Sequence, residues 1–148
     1  MPYDGLRRLV LGLDPREAGL PERSWAYGAL LETTDEDGSG YTLVCLADGT
    51  TSLYTSTGGG VIGAGEHEAV AAATLRFLDV VEGAPALFEP DPDDGRPRPG
   101  DAVLRALAYS GRLRAGGAER ELAEGRHPVS PLFFAAHDVI AQVRRATP

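Results

Sequence analysis

The stretch from Thr50 to Val81, TTSLYTSTGGGVIGAGEHEAVAAATLRFLDVV, constrains the fold of this chain more than any other. Thr50 to Thr57 reads as a strand, and Glu66 to Val81 places Val70, Ala73, Thr74, Phe77, Leu78 and Val81 along one helical stripe. Between them lie Gly58, Gly59, Gly60, Gly63 and Gly65, which allow positive φ or a close backbone approach. The predicted unit is therefore strand, glycine turn, helix.

The flanking segments extend it. Ser24 to Thr34 and Tyr41 to Ala47 have the period of strands, and Asp35 to Gly40 is a polar turn between them. Asp48-Gly49 is a two-residue hairpin signal leading into Thr50, which gives a three-stranded meander. A turn of that length sets Val44 opposite Leu53 and Leu43 opposite Tyr54, leaving both faces partly apolar. Such a sheet needs cover on each side, from helices or from a second subunit.

Before the meander, Asp4 can cap a short helix carrying Leu6, Leu9, Val10 and Leu13, and Asp14-Pro15 with Glu17 opens a further turn that Gly19 stops. After the helix, residues 83–100 carry five prolines among acids, which predicts a mobile, solvated loop outside any central strand, with Leu87-Phe88 able to tack its first half down. Asp101 to Tyr109 and Arg112 to Leu122 read as a second hairpin turning at Ser110-Gly111, with a bulge at Gly116-Gly117. Ser130-Pro131 then opens a helix with Leu132, Ala136, Val139, Ile140 and Val143 on one stripe. The expected fold class is α+β, one domain over residues 1–148. Its mostly antiparallel five-stranded sheet is covered by helices on both faces, in the order α-βββ-α-ββ-α.

Composition narrows the partners. The 148 residues suffice for one core, and no apolar run approaches the length of a membrane span. The N-terminal residues do not fit a secretory signal, so the protein is expected in the cytoplasm. All fourteen basic residues are Arg, which suggests a GC-rich bacterial source, and Cys45 has no second cysteine to pair with. A net charge of −8 disfavours nucleic acid and anionic membranes, both of which need a cationic surface.

Three groups of residues could carry chemistry. Gly58, Gly59, Gly60 and Gly63 match G-x-G-x-x-G, with Glu82 where a dinucleotide fingerprint places its acid. The preceding strand belongs to an antiparallel meander, however, and Glu66 and Glu68 would repel a phosphate at the helix N-terminus. No cofactor is therefore expected, and the turn with Glu66 and His67 remains a candidate ligand site. Arg105, Arg112 and Arg114 fall on one face of the second hairpin and could receive an anion or an acidic partner. His67, His127 and His137 lack metal-site spacing, so no metal is expected, and no nucleophile motif nominates a catalytic residue.

SLYTSTGGGVIGAGEHEAV and EGRHPVSPLFFAAHDVI resemble blocks of a family of small uncharacterised bacterial proteins, a resemblance that brings no activity with it. In outline the predicted fold is similar to profilin-like and roadblock-type domains, although the roadblock order is two strands before the middle helix and three after. The expectation is a non-enzymatic interaction or regulatory module acting on a protein partner or on itself as a homodimer. The alternatives are a small-ligand-binding or hydrolytic protein using the glycine turn, and an acidic, immunity-type inhibitor of a basic protein.

Overall fold

The structure is a computed structural model describing residues 3–91 and 93–147; Pro92, within the predicted 83–100 loop, lies outside the described residues. Helix α1 (Tyr3–Leu11) is followed by the predicted meander of β1 (Ala26–Thr34), β2 (Gly40–Leu46) and β3 (Thr51–Thr55). A two-residue strand β4 (Gly60–Val61), helix α2 (Glu68–Glu82) and a second two-residue strand β5 (Glu89–Pro90) come next. The hairpin β6 (Asp101–Ala108) and β7 (Gly111–Ala118) leads into helices α3 (Glu119–Ala123) and α4 (Ser130–Ala146). All pairings are antiparallel, in the order β4-β3-β2-β1-β6-β7-β5.

The sheet thus has seven strands rather than the expected five. The two additional strands are its edges and too short to show a period in sequence, and Pro90 fits an edge because it has no N–H to give a neighbour. Among the described residues no helix is long and apolar enough to cross a membrane.

The chain's own helices cover both faces. On one face α2 and α4 bury both predicted stripes, with Phe77, Leu78, Ala136 and Val139 against Leu31, Leu43, Leu104, Ala106 and Ala115. Fully burying an aliphatic or phenyl side chain contributes roughly 1.5–3 kcal/mol, so this layer dominates the fold. On the other face α1 and the turn after it lay Tyr3, Leu6, Val10, Leu11 and Leu13 over Leu30, Val44, Leu46, Tyr54 and Leu107. The α1 stripe is rotated from the predicted one: Leu9 is 59% exposed and Arg7 is buried. An arginine does not count as apolar in a periodicity argument, so its inward position could not be read that way.

Four further local expectations are corrected. The β2–β3 connection has three residues, not two: Leu46 N–H donates to Thr50 O at 2.9 Å across Ala47, Asp48 and Gly49, with Gly49 at φ 89°. Leu43 therefore faces Leu53 and Thr42 faces Tyr54, a one-residue slip that exchanges the faces assigned to Leu53 and Tyr54. The β6–β7 turn lies at Tyr109-Ser110, with Ala108 paired to Gly111; this two-residue displacement of the register leaves every face unchanged. Gly116 and Gly117 pair regularly with Val103 and Ala102 rather than bulging, and the strand ends at Ala118 because Glu119 begins α3. Their lack of side chains serves packing, since a Cβ on Gly116 would strike the Ala102 carbonyl and one on Gly117 the His127 ring.

In the 83–100 segment Leu87 and Phe88 do tack the first half down, Phe88 packing edge-on against Trp25 with ring centroids 5.7 Å apart. The departure from a free connector is that β5 pairs with β7 and that Asp91 and Pro97 are buried.

Candidate functional site

The glycine turn is the hairpin return between β3 and β4. Gly58 and Gly60 adopt φ 98° and 151°, and Gly63 at φ 76° starts the 3-10 turn Ala64–Glu66. A Cβ on Gly60 would collide with the Leu53 carbonyl, and one on Gly65 with the Gly49 carbonyl. Gly59 is exposed between Gly58 and Gly60, where a Cβ would lie 3.2 Å from Thr55 Oγ1, and Glu66 and His67 are exposed where α2 begins. Glu82, the fingerprint acid, instead accepts the Trp25 N–H at 2.8 Å and the Arg23 Nε–H at 2.9 Å, tying the end of α2 to the start of β1.

The three arginines share one side of the hairpin, but their surroundings differ. Register sets Arg105 directly opposite Arg114 and Leu107 opposite Arg112, all on the α1 side. Arg105 is 3% exposed and does not lie on a surface patch. It belongs to a charged layer built on Glu32, the one charged residue of β1 and fully buried in the middle of the sheet.

Each member of this layer comes from a different element. Glu32 accepts two bonds from Arg7 of α1, Nε to Oε2 at 2.5 Å and Nη2 to Oε1 at 2.9 Å. It also accepts Thr42 Oγ1 of β2 at 2.6 Å and Arg105 Nε of β6 at 2.8 Å. Burial alone would raise the Glu32 pKa, but hydrogen bonds and charge from Arg7, with Thr42 and Arg105, hold it below the ordinary carboxylate range. On its far side Arg105 donates through Nη1 to Asp91 Oδ2 at 2.6 Å and to Asp93 O at 2.8 Å, and through Nη2 to Gly95 O. Arg7 Nη2 donates to Asp94 O at 2.9 Å. Two buried guanidinium groups therefore hold Asp91 and residues 93–95 over the sheet as a strap.

The strap closes a cavity of about 360 Å3 lined by charge of both signs: Asp91, Asp93 and Asp101 with Arg96, Arg98, Arg105 and Arg114. Val103 and Pro97 supply its apolar wall. Asp91 is the informative member. Its Oδ2 takes Arg105 and, at 3.1 Å, Arg112, whereas its buried Oδ1 has no partner among the described residues. Arg96 donates Nη2 to Gly38 O at 2.8 Å and lies over the Tyr3 ring, yet its buried Nε–H is also unmatched. Leaving a buried donor or acceptor unmade costs about 1–3 kcal/mol, more when the group is charged.

A second cleft, of about 380 Å3, lies where the β1–β2 turn meets α3 and α4. Phe133 and Ala123 line it beside Asp35, Glu36, Glu119, Arg120 and His137. Burial and the nearby Asp35 raise the Glu119 pKa, whereas burial and Arg144 lower that of His137 against the opposing pull of Asp138. The His137 ring packs 4.3 Å from Phe133, with Nε2 3.3 Å from the Tyr41 hydroxyl. Burial raises the Tyr41 pKa, so that phenol is neutral at physiological pH. Neither cavity includes a residue of the glycine turn.

The remaining candidates hold structural positions. His127 Nδ1 accepts the Val129 N–H at 3.0 Å. Cys45 is enclosed beneath α2, and burial pushes its thiol up to about 12, far from a reactive thiolate. Among the described residues no group of three or more His, Cys, Asp or Glu side chains is placed to hold a metal ion.

Arg7, Glu32 and Asp91 were not singled out from sequence. A signal was present, because Glu32 and Arg105 are lone opposite charges inside otherwise uncharged strand cores, LLETT and VLRALA. Strands buried on both sides leave such charges nowhere to go except to each other. No family model, curated protein or solved structure matches the chain.

Proposed function

We propose that this chain is a small binding module whose ligand enters the cavity beneath the strap of Asp91 and residues 93–98. One observation carries the proposal: Asp91 lines this cavity of about 360 Å3, within the roughly 300–1,000 Å3 of ligand sites, as well as a neighbouring one of about 400 Å3 beside Tyr27, and its buried Oδ1 lacks a partner among the described residues while Arg105, itself held by Glu32, fixes Asp91 in place. Charges already fixed by a folded network need no reordering on binding, which favours affinity.

Thermal-shift measurement against small charged metabolites tests this. A ligand at about 100 times its dissociation constant adds roughly 2.7 kcal/mol, raising the midpoint by several degrees at about 2–4 °C per kcal/mol. The shift should vanish in Arg98→Ala and Arg114→Ala, which remove cavity arginines that have no ion-pair partner among the described residues. A shift that survives both variants would place the ligand outside the strap cavity, and one lost only on changing His67 or Gly60 would move the site to the glycine turn.

A second reading, closer to a protein-interaction module, is favoured by the other cleft. Phe133 and His137 line it with three acids, Asp35, Glu36 and Glu119, against the one arginine Arg120, a balance that suits a lysine or arginine side chain of a basic partner. Association there should weaken steeply with salt. A salt-independent complex would argue against it.

A further inference from the structure

The geometry points to a free α-amino acid as the ligand of the strap cavity, an inference that rests on the assignment of that cavity as a binding site. The lining presents two kinds of demand. Asp91 Oδ1, buried and unpartnered, requires a donor, and Asp93 and Asp101 add negative charge beside it. Arg96 Nε–H, also buried and unpartnered, requires an acceptor. Arg98 and Arg114 bring two further guanidinium groups with no side-chain partner among the described residues.

An anionic ligand with no donor group would satisfy the arginines, leave Asp91 Oδ1 unmet and face two more carboxylates. A purely cationic one would do the reverse. A molecule carrying both charges answers both demands at once. An α-ammonium can donate to Asp91 while the α-carboxylate accepts from Arg96, Arg98 or Arg114, in the planar two-point mode that guanidinium favours. Val103 and Pro97 offer apolar contact to the Cα and side chain. The cavity volume admits a small zwitterion.

The test is isothermal titration of the full chain with each of the twenty proteinogenic amino acids. For any that binds, the titration is repeated with the matching decarboxylated amine and the matching deaminated acid. The expected result is saturable binding of at least one amino acid, with each single-charge analogue at least tenfold weaker. Arg114→Gln should weaken binding at least tenfold without changing the circular dichroism spectrum. Asp91→Asn should do the same where it folds, and Arg98→Gln serves beside Arg114→Gln where it does not. An amine or acid that binds as tightly as the amino acid overturns the zwitterion inference and leaves the cavity standing. Binding of none of the amino acids, amines or acids, while another small charged metabolite gives a shift that Arg114→Gln abolishes, likewise overturns the ligand class alone. No binding of any compound, with Arg114→Gln unchanged in every titration, overturns the site as well.

Discussion

Replacing Glu32 by Gln keeps the side-chain shape and removes the charge that two buried guanidinium groups share. In the parent chain its two oxygens accept two bonds from Arg7, one from Arg105 and one from Thr42. The variant puts an NH2 where donors already converge and leaves Arg7 and Arg105, each under 5% exposed, without their common counter-charge. Breaking a buried ion pair by removing one partner costs about 3–5 kcal/mol, a large part of the roughly 5–15 kcal/mol a domain has in total. At about 2–4 °C per kcal/mol the midpoint should fall by roughly 6–20 °C. Urea unfolding followed by Trp25 fluorescence gives the free energy. Pairing Glu32→Gln with Arg7→Met should show coupling of about 0.5–3 kcal/mol, because the two residues bond directly. The pH profile supplies a second readout. The folded-state pKa of Glu32 lies below its unfolded value, so its contribution is fully present above about 4.3 and is lost as pH falls towards the folded value. Glu32→Gln should therefore lose that part of the acid sensitivity. A cost under about 1 kcal/mol, or strict additivity with Arg7→Met, would refute the idea that this layer holds α1, the sheet and the strap together.

Gly60→Ala must adopt φ 151° against the Leu53 carbonyl and should cost about 1–3 kcal/mol, whereas exposed His67→Ala should stay within about 0.5 kcal/mol; chemical denaturation of both variants separates architecture from a ligand role. Glu119→Gln should raise the midpoint at pH 7, because burial and Asp35 penalise the ionised form in the fold, and the gain should disappear once the parent carboxyl is protonated below about pH 4. His137 titrates lower in the folded chain, so its share of stability is present above about pH 6.5 and declines as pH falls from there; His137→Gln should flatten that portion of a stability profile.

Helical periodicity was legible because stripes such as Val70, Phe77 and Val81 depend only on spacing. The β2–β3 register was not, since Asp48-Gly49 can close a two-residue turn or end a three-residue one, and a single residue decides whether Leu53 or Tyr54 faces α2. The strap was hidden for a different reason. Its composition, five prolines among acids, is that of a solvated linker, and only the distant guanidinium groups of Arg7 and Arg105 convert its carbonyls into anchor points. Strand alternation alone puts Arg105, Arg112 and Arg114 on one side, while which arginine is buried depends on Glu32, 73 residues away in sequence. Pairings at that separation leave no periodic trace.

The most direct measurement is a two-dimensional NMR titration of the arginine Nε–Hε groups and the backbone amides with a mixture of free amino acids. If the strap cavity is the binding site, Arg96, Arg98 and Arg114 shift in a saturable way while the amides from Gly58 to His67 stay still. Shifts confined to the glycine turn or to the Phe133–His137 cleft, with those three arginines unmoved, would contradict it.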